Sequence, residues 1–128
     1  MDSVEIYEHD KHYSLLTAWF DDYGMPRVEK ADFPKLGVVI DRAVSGFLIQ
    51  TDSSTCRIDN LIAKRGISPI DKKESFKMVI TELSKMAKGL GFRFIEVSVN
   101  SEMLKLAMVE SEFIIVGNYT LFAKRLGD

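Results

Sequence analysis

The sequence is poor in cysteine, which restricts the chemistry open to the chain. It contains a single cysteine, Cys56, so no disulfide can form within one chain, and we expect a reducing, cytoplasmic location. The neighbours Thr55 and Ile58 favour a strand, where a lone cysteine is more often core than nucleophile. The two histidines, His9 and His12, stand without a cysteine pair or an HExxH motif. The sequence therefore predicts no metal site.

Long apolar runs and an excess of charge of one sign are also missing. No stretch approaches the ~18 apolar residues of a membrane span. The acidic start MDSVEIYEHD does not resemble a signal peptide. The formal net charge is -2, from 17 Lys and Arg and 19 Asp and Glu residues. Such a balance provides no electrostatic attraction to nucleic acid or to a membrane surface, so we expect neither as a partner.

What the sequence does have is the composition of an ordinary globular protein. Of its 128 residues, 46% are hydrophobic and 28% are charged. A chain of this length buries a core without disulfide or metal crosslinks. No internal repeat, linker or low-complexity segment interrupts it. We therefore expect one domain over residues 1–128.

The first half of the chain predicts one helix among short strands. Alternation over residues 4–7 indicates a strand, and apolar residues at helical spacing between 11 and 23 predict a helix that ends at Gly24. Residues 26–35 carry two prolines and predict a loop. Three strand-like runs follow, separated by short polar gaps that favour antiparallel hairpins: Leu36–Ile40, Val44–Ile49 and Cys56–Ala63.

The second half begins with the clearest helix of the sequence. Ser68 is a good N-cap and Pro69 suits the first helical position. Gly89 and Gly91 end the pattern. The apolar stripe predicted to face the sheet includes Phe76, Val79, Ile80 and Leu83.

Alternating strands and helices complete the chain. Phe94–Val99 is rich in β-formers, Ser101 caps a further helix, and Ile114–Lys124 predicts a final strand. A helix that joins two strands implies that the strands are parallel neighbours. The order β-α-β-β-β-α-β-α-β therefore predicts an α/β (α+β) fold, with a mixed central sheet of about six to seven strands flanked by helices.

Three stretches carry a resemblance to a known family. They are IDNLIAKRG (Ile58 to Gly66), RFIEVSVN (Arg93 to Asn100) and IIVGNYTLFAKRL (Ile114 to Leu126). With the element order, they resemble the GNAT family of N-acetyltransferases, and the compact layout is similar to that of small bacteriophage GNAT-like proteins. The resemblance implies transfer of an acetyl group from acetyl-CoA to an amine of a small molecule or a protein. It also implies a V-shaped cleft between the two parallel strands.

The family holds the pyrophosphate of acetyl-CoA with an R/Q-x-x-G-x-G/A loop at the start of the long helix. Glycines and free N–H groups at a helix start suit a phosphate. The matching residues here are Asp71 to Phe76, where Glu74 and Phe76 replace the glycines. A loop further upstream would instead use Lys64, Arg65 and Gly66. The resemblance thus implies these cofactor-binding candidates: Leu61, Ile62, Ala63, Gly66, Lys72, Lys73, Ser75 and Asn100.

The catalytic groups of the family are only partly matched. Its usual general acid is a Tyr on the last helix, and Met108 stands at that position, with Glu112 where the family has Gly. Tyr119 is the nearest substitute hydroxyl by sequence, although a tyrosine at such a position more often packs or faces solvent. Asp59 lies where family members often have a carboxylate base, and it could equally be a surface residue. Asp59 and Tyr119 are the catalytic candidates, while Asn100 could also cap the following helix.

Two functions remain open at this stage. The first is an N-acetyltransferase with an atypical cofactor loop. The second is a catalytically inactive GNAT-fold protein that acts through protein–protein contacts, since the loop glycines and the tyrosine are replaced. The sequence specifies neither the acceptor amine nor the oligomeric state.

Overall fold

The computed structural model describes residues 3–26, 28–99, 101–117 and 120–127. These residues form five strands and three helices in a mixed α/β arrangement. In chain order the elements are β1 (Val4–Ile6), α1 (His9–Asp22), β2 (Leu36–Ile40), β3 (Val44–Ile49), β4 (Thr55–Ala63), α2 (Pro69–Gly89), β5 (Phe94–Val97) and α3 (Glu102–Glu110). One short 3₁₀ turn, Lys30–Asp32, precedes β2.

The strands form one mixed sheet in the order β1-β2-β3-β4-β5. β1 to β4 are antiparallel neighbours, as their short connections predict. β4 and β5 are parallel, which confirms the prediction that α2 joins parallel neighbours. The sheet therefore changes from antiparallel to parallel pairing at β4.

Two apolar clusters cover the two faces of the sheet. Alternate residues of β2 divide between them, since Val38 packs in the cluster under α2 and α3 while Val39 packs under α1. The predicted stripe of α2 is confirmed, because its members are at most 3% exposed: Phe76, Val79, Ile80 and Leu83. On the other face, Trp19 and Phe20 of α1 pack with Phe47 of β3. The periodicity of each helix thus decided which side chains are buried.

The helix ends follow capping chemistry that the sequence encodes. The Ser68 and Ser101 hydroxyl oxygens accept the amides of Asp71 and Leu104, at 3.2 and 3.1 Å. All three helices end in a residue with left-handed φ, namely Gly24, Gly91 and Glu112. No helix in the described part of the chain is both long enough and apolar enough to cross a membrane.

The final predicted strand is the main correction to the expected fold. None of residues 114–117 and 120–124 is in a strand, and the described chain has five strands rather than six to seven. At the end of α3, the Phe113 amide donates to the Met108 carbonyl at 2.9 Å, after a turn through Glu112 at φ 69°. Beyond this turn, residues 114–117 and 120–127 are exposed, with Ile114 82% and Phe122 87% exposed. High β-propensity did not suffice, because a strand also needs an edge to pair with.

Candidate active site

The site is built where the two parallel strands stop pairing. β4 and β5 pair from Thr55 opposite Phe94 to Ile58 opposite Val97. β5 ends there, whereas β4 continues to Ala63. The last five residues of β4 therefore have an edge that β5 does not cover. The resemblance implied an opening between these two strands, and their pairing ends at Ile58 and Val97.

A bulge in β4 marks the start of this opening. Asp59 lies opposite Phe47 and Ile62 opposite Ser45, so Asn60 and Leu61 together face the single residue Gly46. Asn60 has a φ of 53°, in the left-handed region that Asn tolerates better than most residues. Such a bulge bends the strand and changes the direction of its side chains.

Gly46 is required by the packing around this bulge. A Cβ at Gly46 would lie 2.5 Å from Cγ1 of Val79 and 2.9 Å from Cδ2 of Leu61. The absence of a side chain therefore lets α2 approach the sheet directly behind the bulge.

A pocket of about 250 Å³ lies beside the bulge. Its walls come from the end of α1, the second half of β4 and the first turns of α2. The lining residues are Phe20, Tyr23, Met25, Asn60, Leu61, Ile62, Ala63, Lys72 and Phe76. Four cofactor-binding candidates from the sequence, Leu61, Ile62, Ala63 and Lys72, are thus brought together. The pocket is mainly apolar, and Lys72 is its one cationic lining residue among those the structure describes.

The loop from β4 to α2 forms a cationic rim beside this pocket. The Arg65 guanidinium lies 5.1 Å from the Tyr23 ring centroid, and Gly66 has a φ of 92°. Among the described residues, the amides of Arg65, Gly66 and Ile67 have no hydrogen-bond partner. α2 begins two residues later, so its positive dipole end adds to the same side. Free amides, cations and a helix start are together typical of an anion-binding loop.

The stretch that matched the family's phosphate loop is not a loop in the structure. α2 begins at Pro69, so Asp71 to Phe76 lie within its first turns. Phe76 is buried in the core, and the Glu74 carboxylate lies 3.4 Å from the Lys77 ammonium. Ser75 is half-buried in the second turn of α2 and does not belong to the rim. Within the described chain, Gly66 is the cofactor-binding candidate that lies in the loop itself.

The two neighbouring lysines of the candidate site serve different surfaces. Lys72 lines the pocket. The Lys73 ammonium lies 3.0 Å from Oε2 of Glu110, on α3. Only Lys72 is therefore placed beside the candidate cofactor residues of β4.

The catalytic candidates, unlike four of the cofactor-binding candidates, are not found together at the pocket. Asp59 is exposed on β4, one residue before the bulge, and is not among the lining residues of the pocket. Met108 is 6% exposed and packs in the cluster under α2, so α3 presents no hydroxyl at that position. Tyr119 and Asn100 lie outside the described residues.

Four pocket residues escaped the sequence reasoning: Asn60 at the bulge of β4, and Phe20, Tyr23 and Met25 at the end of α1. The Met25 amide donates to the Phe20 carbonyl at 2.9 Å, and Gly24 has a φ of 66°. This helix end turns the chain back, so that Met25 lies beside the pocket. Gly24 followed by an apolar residue was a visible signal of that turn, but only the fold shows that β4 lies next to it.

Comparison with known proteins gives a clear result for structure and none for sequence. No protein-family model matches the chain. A search of curated proteins found no match either. An acetyltransferase of Trypanosoma brucei superposes with a TM-score of 0.70 at 11% identity, over 97% of this chain and 100% of that one.

Two further solved structures have names that specify their substrates. An aminoglycoside acetyltransferase from a soil metagenome, in complex with sisomicin, has a TM-score of 0.66 at 13% identity, over 98% of this chain and 97% of its own. The glucosamine-6-phosphate N-acetyltransferase of Arabidopsis thaliana has a TM-score of 0.62 at 13% identity, over 99% of both chains. The chain therefore has the fold of the GNAT acetyltransferases.

Proposed function

We propose that this protein is an acetyl-CoA-dependent N-acetyltransferase that acts in the cytoplasm on an amine acceptor. The observation that carries the proposal is the opening of the sheet at Asn60. There, an uncovered strand edge, an apolar pocket and a cationic loop with free amides lie side by side. These three features match the three parts of acetyl-CoA, which are an amide-containing arm, an acyl group and a pyrophosphate.

Each part of the cofactor has residues suited to it. The amides of Arg65, Gly66 and Ile67 are free to donate to phosphate oxygens, and Lys72 would neutralise part of their charge. Residues 59–63, beyond the end of β5, offer backbone groups to the amides of the arm. The pocket of about 250 Å³ is below the range of about 300–1,000 Å³ for drug-sized ligands. It therefore suits the acyl group and the end of the arm rather than the nucleotide.

The reaction requires two proton transfers. The amine nitrogen attacks the thioester carbonyl carbon, a C–N bond forms, and the C–S bond breaks to release a thiolate. In our proposal Asp59 accepts the proton of the amine, directly or through a water molecule. Tyr119 remains the predicted proton donor to the thiolate, because Met108 has no acidic hydrogen.

The alternative of an inactive scaffold loses one of its two supports. It rested on the missing tyrosine, which Met108 replaces, and on Glu74 and Phe76 at the phosphate loop, and these last two residues lie inside α2. Phe76 points to the core, and Glu74 is held by Lys77. With the loop at residues 64–68, a glycine and two cations are present where a phosphate would bind.

Thermal unfolding with and without acetyl-CoA tests the binding half of the proposal. A ligand at about 100 times its dissociation constant adds about 2.7 kcal/mol to the stability of the folded state. For a domain of this size the midpoint should rise by several degrees. Lys72→Ala should weaken binding, whereas the matched variant Lys73→Ala should not. Equal losses in both variants would contradict the assigned roles of the two lysines. No shift with millimolar acetyl-CoA or coenzyme A would overturn the proposal.

Release of coenzyme A thiol tests the catalytic half. The acceptors should include an amino sugar phosphate, an aminoglycoside and a lysine peptide, each with acetyl-CoA and a chromogenic thiol reagent. Acceptor-dependent thiol release by the wild type is the expected result. Binding without release on any acceptor, together with an unaltered rate of acetyl-CoA hydrolysis, would contradict the enzyme assignment.

A further inference from the structure

The pocket beside the bulge is larger than an acetyl group needs. Its volume is about 250 Å³, and a non-hydrogen atom with its hydrogens takes roughly the 30 Å³ share of a water molecule, so the pocket holds about eight such atoms. An acetyl group with its thioester sulfur would fill about half of this space. The walls of the other half would be left without partner atoms and would lose those contacts. The pocket therefore has room for a longer acyl chain.

The buried wall of the pocket is entirely apolar. Four lining residues are at most 6% exposed, and none of the four has a polar side-chain atom: Phe20, Ile62, Ala63 and Phe76. Phe20 and Ile62 belong to the cluster under α1, whereas Ala63 and Phe76 belong to the cluster under α2 and α3. Members of both apolar clusters thus bound the pocket. A wall of this composition favours a hydrocarbon over a second polar group.

The more exposed lining residues include the polar ones. Tyr23 is 37% and Met25 46% exposed, and Lys72 is half-buried. On the rim, the Arg65 guanidinium lies 5.1 Å from the Tyr23 ring centroid. Since exposed side chains stand nearer to solvent than buried ones, the pocket is polar at its mouth and apolar at depth. This order suits an acyl-CoA whose phosphates lie at the rim and whose hydrocarbon chain points inward.

The charges of the pocket restrict the far end of such a chain. In the part of the chain that the structure describes, no acidic side chain lines the pocket, and Lys72 is its one cation. The four buried wall residues offer no partner to a charged group. Burying a carboxylate against them would cost affinity. The expected acyl group is therefore uncharged as well as longer than acetyl.

We propose that the preferred acyl donor is a coenzyme A thioester of an uncharged aliphatic acid with about four to six carbons, rather than of acetate. The inference rests on the proposed function, because it specifies the acyl part of the same cofactor. The acceptor nitrogen bonds to the acyl carbonyl carbon, and the C–S bond breaks with its electron pair on sulfur. The amine loses one proton and the thiolate gains one. The products are an amide and coenzyme A.

Dissociation constants for a series of coenzyme A thioesters test the preference. Each buried methylene should tighten binding roughly three- to fourfold, so butyryl-CoA should bind about tenfold more tightly than acetyl-CoA in calorimetric titrations. Hexanoyl-CoA should bind more tightly again, and octanoyl-CoA should add nothing because the pocket is then full. Succinyl-CoA matches butyryl-CoA in chain length but ends in a carboxylate, so it should bind no more tightly than acetyl-CoA.

Two results of this series would overturn the proposal. One is an equal dissociation constant for acetyl-CoA and hexanoyl-CoA. The other is tighter binding of succinyl-CoA than of butyryl-CoA, which would mean that the inner part of the site is not apolar.

Two pocket variants test whether this pocket sets the preference. Ala63→Val adds bulk to the buried wall and should remove the advantage of hexanoyl-CoA over acetyl-CoA. Met25→Ala enlarges the pocket at an exposed residue and should extend the advantage to octanoyl-CoA. Ile70→Ala is the control, because Ile70 is 74% exposed on α2 and does not line the pocket. Its dependence on chain length should equal that of the wild type.

Thermal unfolding shows whether each variant is folded, and Met25→Ala decides the question if Ala63→Val is not. A dependence on chain length that the folded pocket variants leave unchanged would mean that longer chains bind elsewhere, and the proposal would be rejected.

The same titrations separate this inference from the proposed function. If neither coenzyme A nor any of its thioesters binds, both are wrong. If coenzyme A and acetyl-CoA bind but longer chains bind no more tightly, the cofactor assignment stands and only the preference for a longer chain is rejected.

Discussion

The ammonium nitrogen of Lys73 lies 3.0 Å from Oε2 of Glu110, which ties the second turn of α2 to the last turn of α3. The Lys77 ammonium lies 3.0 Å from the other oxygen of the same carboxylate. Two lysines one turn apart thus share one acid on the neighbouring helix. Lys72, by contrast, lines the pocket. Of these two adjacent lysines, Lys73 therefore joins α2 to α3, and Lys72 belongs to the candidate site.

This cluster predicts a pH dependence of stability. The hydrogen bonds from Lys77 and then Lys73 lower the pKa of Glu110 below its ordinary value of 4.5. The carboxylate therefore stabilises the fold above the unfolded-state pKa, and this contribution is lost as pH falls through the lower folded-state pKa. The stability difference between wild type and Glu110→Gln should accordingly shrink in urea titrations as pH falls below the ordinary pKa of 4.5.

A matched control for this prediction is Glu102→Gln. Glu102 pairs with Lys105 at 3.3 Å, but its side chain is 92% exposed. Because exposed pairs of this kind contribute little, its effect should be small at every pH. A stability difference for Glu110→Gln that is constant with pH would contradict the ion cluster.

The left-handed residue at the end of α3 predicts a stabilising substitution. Glu112 has a φ of 69°, a region that costs a residue with a Cβ roughly 1–2 kcal/mol relative to glycine. Part of the stability gained by removing this cost is offset, because glycine has greater conformational freedom in the unfolded chain. Glu112→Gly should therefore raise the free energy of unfolding by about 0.5–1 kcal/mol. Glu112→Ala keeps the Cβ and should not raise the free energy of unfolding. A stability gain in both variants would exclude the left-handed φ as its cause.

The core under α2 predicts a large effect from one leucine. Leu83 is fully buried in the cluster between α2 and the sheet. Leu83→Ala should lower the free energy of unfolding by about 2–5 kcal/mol, as for other buried leucines. Ile70 on the same helix is 74% exposed, and Ile70→Ala should stay within about 0.5 kcal/mol of the wild type. Equal effects in urea titrations would mean that the helix face is assigned wrongly.

The aromatic cluster under α1 predicts a loss of stability at high pH. Burial raises the pKa of the Tyr7 hydroxyl from 10.0 to about 12. The unfolded chain ionises this group first, so folding stability should fall as pH rises from about 10 towards 12. Tyr7→Phe should flatten this part of the pH profile, whereas Tyr23→Phe, at a partly exposed residue, should not. An unchanged slope in the Tyr7 variant would contradict the shift.

The proposed reaction predicts the effect of removing its base. If Asp59 accepts the proton of the amine, Asp59→Asn should reduce kcat by about 10²–10⁴-fold, the range of general base catalysis. The KM for acetyl-CoA should change little, since the residue is not assigned to the cofactor. Asp52→Asn, an exposed acid in the turn before β4, is the control. An equal kcat in wild type and Asp59→Asn would remove Asp59 from the mechanism.

Much of the fold could be predicted from the sequence, because the caps and the periodicity that indicate its elements are local features. Ser68 and Pro69 start α2, Gly91 ends it, and the stripe of apolar residues between them identifies the buried face. Short polar gaps predicted the antiparallel hairpins, and the long helix predicted parallel β4 and β5. Each of these inferences depends on neighbours within one or two turns of chain, which is the range over which capping and periodicity act.

Only part of the candidate site could be predicted from the sequence, because sequence signals are local and the site combines segments that are far apart in the chain. The residues of β4 and Lys72 could be named in advance, but the position of the phosphate loop depended on where α2 begins. The resemblance placed it at Asp71 to Phe76, but the capping bond from Asp71 to Ser68 shows that these residues lie inside α2. The loop around Gly66 is therefore our proposed alternative. Phe20 and Met25 line the pocket only because the end of α1 lies beside β4 in the fold.

By itself, the sequence determined the element types, the helix caps and the buried faces, since these follow from local propensity and periodicity. Only the tertiary structure decided which lysine reaches the pocket, which residues of α1 line it, and that 114–117 and 120–124 are not in a strand. The sequence of residues 114–124 has the β-propensity of a strand. A strand also requires hydrogen bonds to the edge of another strand, and contacts between residues far apart in sequence decide whether such an edge lies within reach.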